Sequence, residues 1–280
     1  MNINQQSSKA QDRTLSVWFQ KLQNGEIKLP RFQRFQAWDK KRITSLLETI
    51  TYNLPLGITL LLEVDEEKFI SRYLATAPET GVKVNEHLLD GQQRLTSLWR
   101  CMHNNYETET FFIYIPEFDK EDDGISNETM MAYCQGRWFK KEKKYPLWAD
   151  SPSACFKKGL IPINLLRPAD IRSEIDTWIQ AAVTNIEPKD KQDPEFVEKF
   201  IKFNETKTSL DKAITQLREI ISHYNLPFLA LPTSTPKDIA LRVFINMNTN
   251  TKPLSIYDVI VAEIESVKGI SLHDLQHKLN

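Results

Sequence analysis

The sequence predicts an α+β fold, and three observations carry that expectation. Apolar runs of strand length occur at residues 57–64 (GITLLLEV), 111–115 (FFIYI) and 227–232 (PFLALP). Apolar side chains recur at helical spacing through much of the remaining chain. Strands and helices do not alternate regularly, which separates the pattern from a doubly wound parallel sheet.

Taken in order, residues 1–12 are polar and are expected to be disordered. Thr14 is placed to cap a short helix with the apolar face Leu15, Trp18, Phe19 and Leu22, and Gly25 is its stop. In residues 29–42 (LPRFQRFQAWDKKR), Pro30 holds the chain before it extended, and Phe32, Phe35 and Trp38 alternate with Arg31, Gln33, Arg34 and Gln36. Asp39 is placed to cap a helix whose core face is Ile43, Leu46, Leu47 and Ile50. Residues 57–64 read as a buried strand, 65–83 as a polar loop, and 84–89 as a second strand feeding Asp90. Leu95, Leu98, Trp99 and Met102 mark the next helix, and 111–115 is a third strand. Residues 116–160, rich in charge and aromatics, are expected to form an irregular peripheral insertion. From 168 to 224 the periods are helical (Ile171, Ile175, Trp178, Ile179; then Leu210, Ile214, Leu217, Ile221), broken at Pro188 and Pro194. A short strand at 227–232 and helices at 236–247 and 254–265 close the chain. The domain reading is an α/β core over 13–160, with the insertion at 116–160, followed by a mainly helical part over 161–280.

A chain of 280 residues, 41% apolar and 26% charged, buries a sizeable core. Its net charge of −1 excludes a uniformly basic nucleic-acid binder but leaves room for segregated patches. Residues 1–45 hold nine Lys and Arg against three acids, whereas residues 107–128 hold eight acids against Lys120. Cys101, Cys134 and Cys155 have the spacing of neither a disulfide framework nor a zinc knuckle, which fits a reducing cytoplasm. The polar N-terminus has no apolar signal core, and no apolar run approaches the roughly 20 residues that span a bilayer, so no membrane association is expected.

Residues 88–99 (LLDGQQRLTSLW) carry the most chemistry. A strand, then Asp90 and Gly91, then a helix is an order that aims backbone N–H groups and the positive end of a helix dipole at one point, which suits a phosphate. Gly91 has no Cβ to hold a ligand off the backbone. Arg94 shares a helical face with Leu98, so its fork of donors starts from the core side, where it suits phosphate or carboxylate. The same residues admit a structural reading. Asp90 and Gln93 are spaced as a capping box, Gly91 eases the turn, and Arg94 pairs with a buried acid.

Other stretches also admit two readings. Residues 30–38 form either an edge strand with aromatics inward or a nucleic-acid grip in which Arg31 and Trp38 make contact. Residues 137–148 (RWFKKEKKYPLW) are either a solvated loop or a DNA contact through Lys140, Lys141, Lys143 and Lys144. In residues 244–259 (FINMNTNTKPLSIYDV), Asn246, Asn248 and Asn250 either terminate a helix or close a ligand pocket. His273 and His277 stand one helical turn apart with no third ligand in the pattern, so no metal site is assigned. No Ser-His-Asp order, zinc-protease motif or complete Walker loop occurs.

Taken jointly, LPRFQRFQAW, LLDGQQRLTSL and FINMNTNTKPLS resemble the N-terminal domain of the GmrSD-type modification-dependent restriction systems, the DGQQR-motif family of antiphage proteins. The resemblance spans roughly residues 14–265, and DGQQR is its most specific element. It implies a ParB/sulfiredoxin-like core, a small mixed sheet with surrounding helices, in which a strand–Gly–x–x–Arg–helix turn cradles nucleotide phosphates. It also implies a nucleoside triphosphatase that licenses cleavage of modified DNA. By position, Asp90, Gly91, Gln92, Gln93 and Arg94 match the DGQQR motif, Gln33 and Arg34 match an upstream Gln-Arg pair, and Asn246 and Asn248 match an Asn-containing corner. Many relatives read Gln-Arg-Pro-Tyr-x-Trp upstream; here Phe35 and Gln36 stand in place of proline and tyrosine.

On this reading, Gly91, Gln92, Gln93, Arg94, Asn246 and Asn248 bind a nucleoside triphosphate. Mg²⁺ bridges its phosphates with few protein ligands. The catalytic candidates are Asp90, Arg94, Gln33 and Arg34, with the two arginines neutralising charge on the transferred phosphoryl. Hydrolysis is expected to be slow and to act as a switch. Relatives often continue into a His-Asn-His nuclease domain, and this sequence holds no such pattern, so the nuclease is expected on a further segment or a separate subunit acting on DNA. The competing class is a DNA-binding module without nucleotide turnover. Sulfiredoxin-like chemistry is disfavoured because no cysteine adjoins the Gly–Arg turn.

Overall fold

The computed structural model describes residues 10–33, 38–120, 125 and 127–248. Along the chain come α1 (Leu15–Gln23), β1 (Ile27–Pro30), α2 (Lys40–Thr51), β2 (Thr59–Glu63), β3 (Ser71–Arg72), β4 (Glu86–Asp90) and α3 (Gln92–Met102). Then follow β5 (Glu109–Asp119), β6 (Met131–Gly136), β7 (Trp138–Lys140), β8 (Lys143–Tyr145), α4 (Pro152–Lys157) and β9 (Lys158–Pro162). The series ends with α5 (Arg172–Val183), α6 (Phe196–His223), β10 (Phe228–Leu231) and α7 (Lys237–Asn248). The described residues thus form seven α-helices and several small sheets, a mixed α/β architecture. They fall into two compact units interleaved in sequence, one comprising residues up to Trp38, Pro55–Trp99 and Asn225 onward, the other Asp39–Leu54 and Arg100–Tyr224.

The first unit is built on a five-stranded sheet in the order β10-β2-β4-β1-β3. β2 and β4 pair antiparallel, while β10 with β2 and β1 with β4 pair parallel. A central strand is covered on both faces, which is why β2 reads as an unbroken apolar run and not as an alternation. Leu60, Leu62 and Leu89 face one core with Phe32, Phe69, Val84, and Ala240 and Phe244 of α7. Phe32 meets Phe69 and Phe244 edge-on at 5.3 and 5.0 Å. On the opposite face Trp18 of α1 meets Phe228 at 5.8 Å and Phe19 meets Trp99 of α3 at 5.2 Å. The Trp18 indole N–H donates to the Leu226 carbonyl at 2.9 Å, so this large ring is buried without an orphaned donor. Arg13 grips Glu86 with both terminal nitrogens, at 2.7 and 2.9 Å, and lies over the Trp18 and Phe228 rings.

The second unit carries an antiparallel sheet β6-β5-β9 and the hairpin β7-β8. Phe112, Tyr114, Ala149, Cys155 and Leu160 form a core there. α2 starts where expected, with the Asp39 carboxylate accepting the Arg42 N–H at 2.9 Å. The helical stretch 168–224 divides where its prolines predict, α5 ending before Pro188 and α6 starting after Pro194. Leu210, Ile214, Leu217 and Ile221 are the buried stripe of α6, as their spacing requires.

Some expectations change. The chain pairs from Gln11, whose N–H and carbonyl bond Phe228, so residues 10–12 are not disordered; backbone bonding needs no apolar side chain. Of the edge strand that was one reading of 30–38, only Pro30 lies in a strand among the described residues, and Gln33 N–H closes a turn onto the Pro30 carbonyl. Within 65–83 lies the two-residue strand β3. The described residues of 116–160 are not irregular: they continue β5, supply β6, β7, β8 and α4, and lead into β9, which crosses residue 160 and pairs with β5. β7 and β8 bear lysines, are largely exposed and are held by their backbone ladder, without the apolar run that marks a strand in sequence, whereas β6 does carry a short one, Met131–Cys134. No helix among the described residues is long and apolar enough to cross a membrane. Residues 1–9, Arg34, Asn250, the helix expected at 254–265 and the His273/His277 pair lie outside the described residues.

Candidate functional site

β4 ends at Asp90, Gly91 turns the chain, and α3 begins at Gln92. Gly91 sits at φ +97°, where a Cβ would stand 3.0 Å from both Oγ1 and Cγ2 of Thr59. Glycine alone enters this turn without strain or collision. The Gly91 carbonyl accepts the Leu95 N–H at 3.0 Å, so the helix opens here. The strand end is also bulged: Leu60 faces Asp90 while Leu61 faces Leu88, which leaves Leu89 as an extra residue in β4. A bulge of this kind re-aims the side chains that follow it.

Arg94 reaches back along α3. Its guanidinium donates to the Gly57 and Ile58 carbonyls, the latter at 2.9 Å, and pairs with the Asp90 carboxylate at 3.3 Å. One side chain thereby ties the segment leading into β2 to the end of β4. Because both partners of the ion pair keep partial exposure, that pair alone is worth about 0–1 kcal/mol. The bonds to carbonyls, made by a charged donor, are each worth about 1.5–3 kcal/mol.

Gln33 is buried, and its amide nitrogen donates to the Leu88 and Leu89 carbonyls at 2.6 and 3.1 Å. Arg72 in turn donates to the Gln33 carbonyl at 3.2 Å. The structure therefore brings Gln33 to the bulge beside Asp90, as a residue that positions the strand end. Gln92 is buried and Gln93 half-buried in the first turn of α3. Asn246 is exposed near the end of α7, and the side chain of Asn248 is not described. Arg31 is half-buried, with its backbone N–H on the Ile70 carbonyl at 2.9 Å and its side chain directed to the Ser71 carbonyl; Trp38 is half-buried. Lys140, Lys141 and Lys143 are exposed on the β7–β8 hairpin, whereas Lys144 donates to the Tyr106 carbonyl at 3.1 Å.

Sequence reasoning missed Thr59. Its hydroxyl is fully buried against Gly91 and has no hydrogen-bond partner among the described residues. The available signal was a lone hydroxyl residue inside an apolar run. A helix N-terminus, an arginine fork, this hydroxyl and a single carboxylate form a set richer in donors than in bases, which holds an anion better than it activates water. No group of three metal-binding side chains occurs among the described residues.

His87, three residues before Asp90, was also missed. It is fully buried, packs edge-on against Phe69 at 5.7 Å, and neither ring nitrogen has a partner among the described residues. Burial pushes its imidazole down to about 4, with Glu67 opposing and Lys28 and Lys68 adding to the effect. Above the ordinary value near 6.5 both folded and unfolded chains hold it neutral; below that the unfolded chain takes a proton first. Stability is therefore expected to fall as pH drops from about 6.5 to about 4, by on the order of 3 kcal/mol from this group. Urea unfolding near pH 7 and near pH 4.5 checks this. His87→Leu should lose visibly less stability over that interval, and equal losses would show that another group drives the acid limb.

Residues 15–265 match the family described as the GmrSD restriction endonuclease, N-terminal domain. An uncharacterized protein of Methanocaldococcus jannaschii is 30% identical over 129 residues, which is 41% of this chain and 22% of that relative. The match thus spans under a quarter of the relative's length. With the DGQQR turn at the junction of β4 and α3, and a match running over most of its length, the chain belongs to the GmrSD restriction endonuclease N-terminal domain family.

Proposed function

We propose that the Asp90–Arg94 turn binds the phosphates of a nucleoside triphosphate together with Mg²⁺, and that slow, switch-like hydrolysis regulates DNA cleavage in a modification-dependent restriction system. The observation that carries this reading is Gly91 at φ +97°, opening α3 at the end of β4 beside the unpartnered Thr59 hydroxyl and the Arg94 fork. Backbone amides, a helix dipole and a guanidinium converging at a strand's carboxyl end suit a polyphosphate. A bound triphosphate would supply the phosphoanhydride and Mg²⁺ its charge. Asp90 is the carboxylate at hand for the metal or its water, and Arg94 is the group to neutralise developing phosphoryl charge. Gln33 holds the strand end in place. Membership in this family supports the restriction setting. We read the first unit as a ParB/sulfiredoxin-like core and assign DNA cutting to a His-Asn-His nuclease domain or subunit.

A DNA-gripping module without turnover is the second reading. It is favoured by Lys140, Lys141 and Lys143, which stand exposed together on the β7–β8 hairpin. Calorimetric titration with the four ribonucleoside triphosphates, with and without Mg²⁺, separates the two: the proposal requires Mg²⁺-dependent binding of at least one, and no binding of any leaves the second reading. In the same preparations, modified and unmodified DNA should stay intact with every triphosphate. Nicking that disappears in Asp90→Ala would move the nuclease into this chain.

A further inference from the structure

The β7–β8 hairpin displays side chains that neither the core nor the site above uses. Trp138 and Phe139 are 55% and 65% exposed, among the most exposed large apolar side chains of the described residues. The strands pair Trp138 with Tyr145, Phe139 with Lys144 and Lys140 with Lys143. Side chains alternate across a ladder, so one face carries the Trp138–Tyr145 pair and the Lys140–Lys143 pair. The two rings are stacked, with centroids 6.3 Å apart and planes 19° from parallel. Like charges directly opposite one another destabilise a ladder, and no described acidic side chain bonds either lysine. Lys141 and Glu142 close the turn at φ 48° and 63°, a left-handed pair unusual for such residues.

The hairpin is nonetheless anchored. Arg137, buried at its base, pairs with Asp150 through both terminal nitrogens, bonds Thr110 Oγ1 at 2.9 Å, and donates to the Tyr145 carbonyl at 3.2 Å. A firmly held platform with stacked aromatics beside paired cations fits one kind of partner. Aromatic faces take unstacked bases and lysines take the phosphates on either side.

We propose that the β7–β8 hairpin is a DNA contact in which the Trp138–Tyr145 face stacks on an unpaired base while Lys140 and Lys143 hold the flanking phosphates. The proposal rests on the DNA-directed part of the function above and not on the nucleotide site. The full chain is titrated into labelled single-stranded DNA, duplex DNA and single-stranded RNA of one sequence, followed by anisotropy across a salt series without nucleotide. Single strand should bind more tightly than duplex. Trp138→Ala should weaken single-strand binding roughly 5- to 150-fold, with Trp138→Phe recovering much of the loss. Lys140→Gln with Lys143→Gln should lower the slope of log affinity against log salt by about 1.4, the value for two single-strand phosphates. Circular dichroism confirms that these surface variants fold. Wild-type affinity and slope in all variants would overturn the hairpin assignment while leaving the DNA-directed function intact. Loss on lysine change alone would overturn base stacking, and preference for RNA of the same sequence would overturn the assignment to DNA. Failure of the wild-type chain to bind either DNA would overturn both this proposal and the DNA-directed reading.

Discussion

Arg94→Ala is expected to weaken triphosphate binding roughly 10- to 150-fold, the loss of one charge-assisted donor pair worth about 1.5–3 kcal/mol. It is also expected to lower the unfolding midpoint. The second effect follows from partners on the protein itself: the Gly57 and Ile58 carbonyls and the Asp90 carboxylate all lose their donor at once. Arg94→Lys separates the two effects. An ammonium keeps the charge that a phosphate feels but is a point donor without the planar fork, so it cannot serve two carbonyls and a carboxylate together. Lysine should therefore retain more affinity than alanine while sharing much of its loss of stability. Calorimetry and thermal unfolding on the same preparations give both readings. Full affinity in Arg94→Ala with a lowered midpoint would assign this residue to the fold alone.

Much of the fold was legible because helices announce themselves locally. The stripe on α1, the Asp39 cap on α2 and the stripe on α6 each lie within a few turns of sequence. β7 and β8 were not legible, since their order depends on a ladder with each other and their residues look like solvated loop, and the apolar run of β6 is only four residues long within a polar stretch. The same divide runs through the site. That Asp90, Gly91 and Arg94 sit at a strand–helix junction follows from seven consecutive residues. That Arg94 holds carbonyls 36 and 37 positions away, and that Gln33 clamps the bulge of β4 across 55 positions, depends on tertiary pairing that periodicity does not encode. Thr59 and His87 escaped notice for a related reason. A polar residue at the edge of a short apolar run gives no periodic signal, and only burial without a partner makes it conspicuous.

Gly91→Val is expected to destabilise the first unit by roughly 2–5 kcal/mol and to remove triphosphate binding. One part of the cost, about 1–2 kcal/mol, is the left-handed backbone that a β-branched residue resists. The other, about 1–3 kcal/mol, is overpacking, since the first added carbon already stands 3.0 Å from Thr59 and the side chain brings more. Thr59 cannot retreat easily: it is fully buried in β2, and its N–H is held by the Pro227 carbonyl at 2.9 Å. Adding Thr59→Ala should return the overpacking share and leave the backbone share, so the double variant should fall between Gly91→Val and wild type in urea unfolding. Binding should behave differently from stability. Thr59→Ala makes room but leaves a β-branched residue at a left-handed position, so the backbone N–H groups that open α3 stay displaced and the double variant should still bind more weakly than wild type. Gly91→Ala, which adds one carbon, gives a folded protein in which to measure this. If Gly91→Ala has wild-type stability and unchanged triphosphate affinity, then neither the left-handed turn nor the tight packing against Thr59 is what this position requires, and the phosphate site lies elsewhere.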